Sequence, residues 1–236
     1  MKTRYLFGLL ALFVFVAGWC TKDQFIKSGL SNGRFDGSLL EYMEAPGHSY
    51  DWDSTALMVR HAGEKMVRLF EGQDPDHPEI TFLGPTNHSI RRYMLENNIE
   101  RVADMDPLWC EEVLLRHVLD RKLYRDDIPR GKKAGGIIEG GMECLSLGGK
   151  GIYLFTMRGS YGTVQEAGAV RIYCVVKGTN VDIDIASSNI EPNHCVVHSL
   201  GYNFTLNRDL EIKGKVYEEN YIYRGSNICL LPECLS

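Results

Sequence analysis

Two histidines, His117 and His198, are the first groups in this chain able to hold a metal or pass a proton near neutral pH, because imidazole titrates there. Asp74, Asp76 and His77 lie within DPDHP and offer oxygen and nitrogen donors suited to a cation. Asp182 and Asp184 fall on one side of an alternating segment and could act as metal ligands or as an acid/base pair. Each group also has a plainer reading: core histidines joining helix to strand, a solvated loop, and the wet side of an amphipathic strand. The plainer reading is preferred in all three cases. A nucleophile is harder to find. Gly159-Ser160-Tyr161-Gly162 does not follow G-x-S-x-G, and Cys110 or Cys195 would need a base placed beside it. Gly148-Gly149-Lys150-Gly151 fails the P-loop template, and no C-x-x-C pair supports a zinc ribbon or a thioredoxin-like site. The expectation is a non-enzyme with no catalytic residue, no metal and no cofactor.

Aromatic residues are the better lead. Tyr42, Tyr50 and Trp52 fall in or near the loop segment APGHSYDW, and rigid amphipathic rings on loops make platforms for sugars or proteins. For Trp52 the plainer reading, that it covers the core, is preferred. Tyr217, Tyr221 and Tyr223 raise the same question near the C-terminus. Asp53-Ser54-Thr55 is similar to a bacterial O-glycosylation acceptor, and Asn203-Phe204-Thr205 is an N-glycosylation sequon.

The elements that must position these groups follow from capping and periodicity. Ser38 can cap a helix over SLLEYM, and Ser54 to Phe70 has helical spacing interrupted at Gly63. Ile80 to Leu83 reads as a strand stopped by Gly84-Pro85, after which Thr86 or Asn87 caps the next helix. Asp106-Pro107 begins another, with Cys110, Val113, Leu114, His117 and Val118 on its apolar face. From Lys122 the pattern turns to β. The glycine-rich stretch 131–151 predicts loops or a hairpin, followed by strands at Ile152–Met157, Val170–Val176, Val181–Ala186 and Cys195–Leu200. Helices first and strands later predict an α+β domain.

The chain has 236 residues and a formal charge of -5, and its one basic cluster, Arg130-Gly131-Lys132-Lys133, is too short to suggest nucleic acid and reads as a solvated loop. Lys2, Arg4 and the apolar run Leu6 to Ala17 form a targeting segment too short for a membrane span. Cys20 follows in a setting that resembles a bacterial lipobox, which implies a signal peptide over 1–19 and lipid attachment, with palmitate among the acyl groups, at Cys20. Thr21-Lys22-Asp23-Gln24 is similar to a surface-export tag, so the expected location is the outer membrane, lipid-anchored and exposed at the cell surface or facing the periplasm. The remaining six cysteines, Cys110, Cys144, Cys174, Cys195, Cys229 and Cys234, permit disulfides in an exported protein without fixing their pairing.

Three segments, ITFLGPTNHSIRRYM (80–94), CEEVLLRHVL (110–119) and NHCVVHSL (193–200), together resemble the fasciclin (FAS1) family in order and spacing. The resemblance places Thr86, Asn87, His117 and His198 on family positions. Arg116 stands where the family has Tyr, and His194-Cys195 where it has Asn-Gly. It implies a FAS1-like fold, a compact β wedge with helices alongside, over 38–206. Residues 20–37 would be a tether and 207–236 a C-terminal extension. DWDSTALMVRHAG and GPTNHSIRRYM are also similar to bacterial single-domain fasciclin lipoproteins. The implied function is non-catalytic binding or adhesion at the cell envelope, with an outer-membrane protein complex or a surface glycan or protein as partner. An accessory role beside a nutrient importer is one form of this. Homotypic adhesion and a secreted metal- or His-dependent hydrolase are the alternatives.

Overall fold

The structure, a computed structural model, describes residues 33–134, 137–177 and 181–206. Among the described residues, five α-helices and nine strands form a mixed α+β arrangement in which most helices come first and most strands later, as the pattern predicted. The helices are α1 (Leu39–Glu44), α2 (Ser49–Ala62), α3 (Glu64–Phe70), α4 (Asn87–Glu96) and α5 (Pro107–Leu115). The strands are β1 (Ile80–Gly84), β2 (Val118–Leu119), β3 (Gly131–Ala134), β4 (Ile137–Gly140), β5 (Met142–Leu145), β6 (Gly151–Arg158), β7 (Val170–Val176), β8 (Asp182–Ile190) and β9 (Cys195–Leu200). Among the described residues no helix is long and apolar enough to cross a membrane.

Local chemistry sets the helix ends. The Ser38 hydroxyl accepts from the Glu41 amide at 3.1 Å while the Glu41 carboxylate accepts from the Ser38 amide at 2.7 Å, a reciprocal cap. Gly63, at φ 108°, ends α2 and opens α3; a side chain there would be strained, which is why the helical pattern breaks at a glycine. Asp106 caps α5 through the Leu108 amide at 3.0 Å, with Pro107 in the first turn.

Several boundaries depart from the sequence reading. α2 begins at Ser49, five residues ahead of the expected Ser54, so Tyr50 and Trp52 are helical. α5 stops at Leu115, and Val118 leaves the helix to pair with Phe82 as part of β2, because the sheet offers its backbone partners the helix end cannot. Residues 33–37, expected in the tether, belong to the domain: Phe35 donates its amide to the Glu191 carbonyl at 2.9 Å, and its ring meets Tyr42 edge-on at 5.4 Å.

The seven-stranded sheet has the order β2-β1-β9-β8-β7-β6-β5, with β1 and β9 parallel and their neighbours antiparallel. Every residue of β1 and β9 is buried, as a central parallel pair requires. The polar residues there are therefore bonded; the Thr81 hydroxyl donates to the Arg121 carbonyl and accepts from the Leu123 amide. β8 divides its length, pairing β7 from Asp182 to Asp184 and β9 from Ile185 to Ile190 across two register shifts. The β3–β4 hairpin stands apart as its own ribbon and touches β6 through a parallel bridge between Arg130 and Thr156. It is the hairpin form of the two readings given for 131–151, and it takes the place of a plain loop at the basic cluster.

The described cysteines form no disulfide. Cys110, Cys144, Cys174 and Cys195 are free and buried in the core, where they pack as small apolar side chains. Burial pushes the Cys110 thiol up to about 11 and raises Cys174 and Cys195 as well. Disulfide pairing was open for six cysteines; Cys229 and Cys234 lie outside the described residues. The four buried thiols are expected to resist an aromatic disulfide reagent in native protein at neutral pH and to react fully after unfolding. Peptide mapping that finds any of them labelled rapidly in the native state would contradict this packing.

Candidate functional site

The predicted platform is split by the structure. Trp52 is 2% exposed and lies against Gly84, where an added Cβ would come within 2.6 Å of the indole ring. Tyr42 is half-buried on α1, with its ring 6.3 Å from Trp52. Both support the core. Trp52 takes the core position preferred for it, and Tyr42 too is withdrawn from an exposed platform, because α2 and α1 each turn that ring towards the other helix. Tyr50 faces the other way and is 68% exposed.

Tyr50 belongs to a different group of rings. Its ring meets His88 edge-on at 5.7 Å, and His88 meets Tyr202 at 4.5 Å, so three rings from α2, α4 and the turn after β9 form one surface row. Tyr202 is 51% exposed, and its hydroxyl donates to the Asp51 carboxylate at 3.4 Å. That carboxylate also raises the Tyr202 ionisation above the usual phenol range. Leu57, 57% exposed, lies two helical turns from Tyr50 on the same side of α2. The row combines apolar faces with a hydroxyl and a carboxylate at its edge, a surface suited to a sugar ring or a protein side chain.

What holds the row is beneath it. Asn87, 1% exposed, accepts from the Ser54 amide at 2.6 Å and donates to the Ser49 and Tyr50 carbonyls at 2.8 Å each. Ser54 and Tyr50 are four residues apart, the spacing of an α-helical hydrogen bond, so one side-chain amide meets both ends of a rung of α2. Asn87 thus fixes the turn bearing Tyr50, and the next residue, His88, points its ring between the tyrosines. Thr86 occupies the N-cap position with extended backbone, but its buried hydroxyl makes no hydrogen bond. The expected cap is therefore backbone geometry alone, and the amide beside it reaches across to another helix. Thr55 adds a second tie, its hydroxyl donating to the Pro85 carbonyl at 2.8 Å. Ser54 and Thr55 are buried, which removes them as glycosylation acceptors. On the far side the Arg92 guanidinium donates to the Tyr202 and Asn203 carbonyls at 2.9 and 3.0 Å, anchoring the turn.

The two family-position histidines lie behind this surface. His117 is fully buried; its Nδ1 donates to the Leu83 carbonyl at 3.0 Å, and its own carbonyl accepts from the Leu83 amide at 2.9 Å. Phe204 closes over the imidazole edge-on at 5.3 Å. His198, also buried, pairs with Leu83 across the sheet, donates from Nε2 to the Leu123 carbonyl at 2.9 Å and accepts from the Asn189 amide at 3.4 Å. Burial lowers the pKa of both, that of His117 to about 3, so each is neutral in the fold. Both act as fasteners that join connecting segments to β1 and β9.

The acidic candidates are dispersed. Asp74 accepts from the Asp76 amide within its own turn, while His77 bonds Asp120 at 2.7 Å. Asp182 pairs with Lys133, leaving Asp184 exposed on the same strand side. Ser160 donates to Gln165 at 2.9 Å on an exposed connection. Among the described residues no group of three or more His, Cys, Asp or Glu side chains is arranged to hold a metal. Cys20 and the tail tyrosines Tyr217, Tyr221 and Tyr223 lie outside the described residues.

No protein-family model matches the chain, and no curated protein matches it. Among solved structures it is similar to a FAS1 domain pair from the insect cell adhesion molecule fasciclin I, at 14% identity and a TM-score of 0.36. The match covers 54% of this chain and 37% of that one.

Proposed function

We propose that this chain is a non-catalytic binding module of the bacterial cell envelope, held to the outer membrane through Cys20 and engaging its partner through Tyr50, His88 and Tyr202. The observation that carries the reading is the exposed ring row itself. Two tyrosines and a histidine from distant parts of the sequence are assembled on one surface and braced by Asn87 and Arg92. Rigid, pre-positioned aromatic rings lose little conformational freedom on binding, which favours them as contact points. The hydrolase alternative loses ground, because His117 and His198 already give their N–H groups to main-chain carbonyls. The partner is an envelope protein complex, such as a nutrient importer, or a surface glycan.

The test is affinity capture from native outer membrane in mild detergent, repeated with Tyr50→Ala and Tyr202→Ala. Each variant is expected to weaken capture of the partner about tenfold or more, ~1.4 kcal/mol per tenfold. Each should move the unfolding free energy by less than about 0.5 kcal/mol, as for other exposed positions. Capture undiminished in both variants would exclude the row as the binding surface. Concentration-dependent self-association lost in the same variants would identify the partner as a second copy. Anchoring is tested separately: Cys20→Ala should abolish fatty-acid labelling and release the protein from the membrane fraction.

A further inference from the structure

A cleft of about 750 Å³ lies where the β3–β4 hairpin meets the end of β6, within the size range of small-molecule sites. Arg130, Lys132 and Arg158 line it, together with Glu139 and Glu166. The hairpin places them. Lys132 and Glu139 stand opposite each other in the β3–β4 register, and Arg130 is bridged to Thr156, two residues before Arg158. A Cβ at Gly140 would lie 2.4 Å from the Arg130 carbonyl, so glycine there lets the β4 backbone close against the root of Arg130.

Lys133, beside Lys132 on β3, is paired with Asp182. Among the described residues, none of the five charged side chains lining the cleft makes an ion pair. Three cations against two carboxylates leave one positive charge, on a chain whose formal charge is -5. The chain's overall charge repels anions, so attraction must come from this local group.

We propose that this cleft binds a small polyhydroxylated anion, a sugar bearing one phosphate, sulfate or carboxylate group. The guanidinium forks of Arg130 and Arg158 match such a group with paired N–H donors. Glu139 and Glu166 are useless to a bare anion, since ionised carboxylates only accept hydrogen bonds, but they suit the hydroxyl donors of a sugar. The mixture of charge is thus what a hydroxylated anion needs and what an inorganic ion does not. This site is built from the β3–β4 hairpin and β6, none of which carries a member of the ring row, and does not depend on it.

Titration calorimetry on the full chain tests this with glucose, glucuronate, glucose 6-phosphate and inorganic phosphate. At least one charged sugar is expected to bind at one site per chain, tenfold or more tighter than glucose and tighter than inorganic phosphate. Which charged sugar is preferred separates a carboxylate from a phosphate ligand. Arg130→Gln with Arg158→Gln should weaken that binding at least tenfold, and Arg130→Lys with Arg158→Lys should give a smaller loss by keeping charge without the fork. Glu139→Gln with Glu166→Gln should remove the preference over inorganic phosphate. Circular dichroism checks that each variant is folded. Charged sugars binding no better than glucose, or unchanged by the Arg→Gln pair, would overturn the proposal, as would equal affinity for inorganic phosphate.

Discussion

Replacing Asn87 by alanine is expected to lower the unfolding free energy by about 3–5 kcal/mol, among the largest effects of any single substitution outside the apolar core. The change removes one acceptor and two donors from a buried position, leaving the Ser54 amide and the Ser49 and Tyr50 carbonyls without that partner. Each orphaned group costs about 1–3 kcal/mol when water cannot replace the lost bond. Asn87→Asp should do comparable harm, because it exchanges both donors for a carboxylate facing two carbonyl oxygens. Urea unfolding followed by circular dichroism measures this, with the midpoint falling at constant slope. The first turn of α2 carries Tyr50, so partner capture should fall in the same variants even where the protein is mostly folded. A loss under about 1 kcal/mol would show that the amide is dispensable.

Acid is expected to destabilise the fold through its buried histidines. In the unfolded chain His117 takes up a proton near its ordinary pKa of 6.5, whereas in the fold burial holds it neutral down to about 3. Between those values the unfolded state binds more protons, so stability is full above pH 6.5 and declines as pH falls towards 3. The contribution of His117 is at most on the order of 5 kcal/mol across that window. His198 is shifted in the same direction by burial and adds to the slope. His117→Asn keeps a donor for the Leu83 carbonyl but cannot be charged. Its stability should therefore change less between pH 6.5 and 4 than that of the natural chain, a difference read by denaturant unfolding at each pH. Parallel curves would mean that His117 is solvated or protonated in the fold.

Much of the fold was legible because its signals are local. Ser38, Gly63 and Asp106-Pro107 set helix ends through neighbours within one turn, and the alternation of Ile183 with Asp182 and Asp184 marks one wet and one dry side of β8. The start of α2 was missed because no side chain caps it: His48 in the N-cap position makes no capping bond. The core role of the two histidines was read correctly, although their carbonyl partners at Leu83 and Leu123 are set only by the sheet. The ring row was half visible. Tyr50 could be named as an exposed aromatic, but His88 and Tyr202 join it only after α4 and the end of β9 come together. Asn87 shows the same limit, since a residue after Gly-Pro-Thr reads locally as a cap while its partners lie 33 to 38 residues earlier. The cationic cleft was hidden for a like reason, as Arg158 and Glu166 are distant in sequence from the Arg130–Lys133 cluster.

The parallel pairing of β1 with β9 sets the order of assembly. Ile80 finds Cys195 as its register partner only after the whole intervening chain has been made, and β1 cannot be covered on that side until then. Closing so long a loop is entropically unfavourable until late contacts reward it, which places this topology among the slower folders. A nascent chain ending before residue 195 therefore exposes the apolar face and open edge of β1. The antiparallel pairs β1–β2, β3–β4 and β5 to β8 can form as they emerge, whereas the centre of the sheet is closed only when β9, the last described strand, is added.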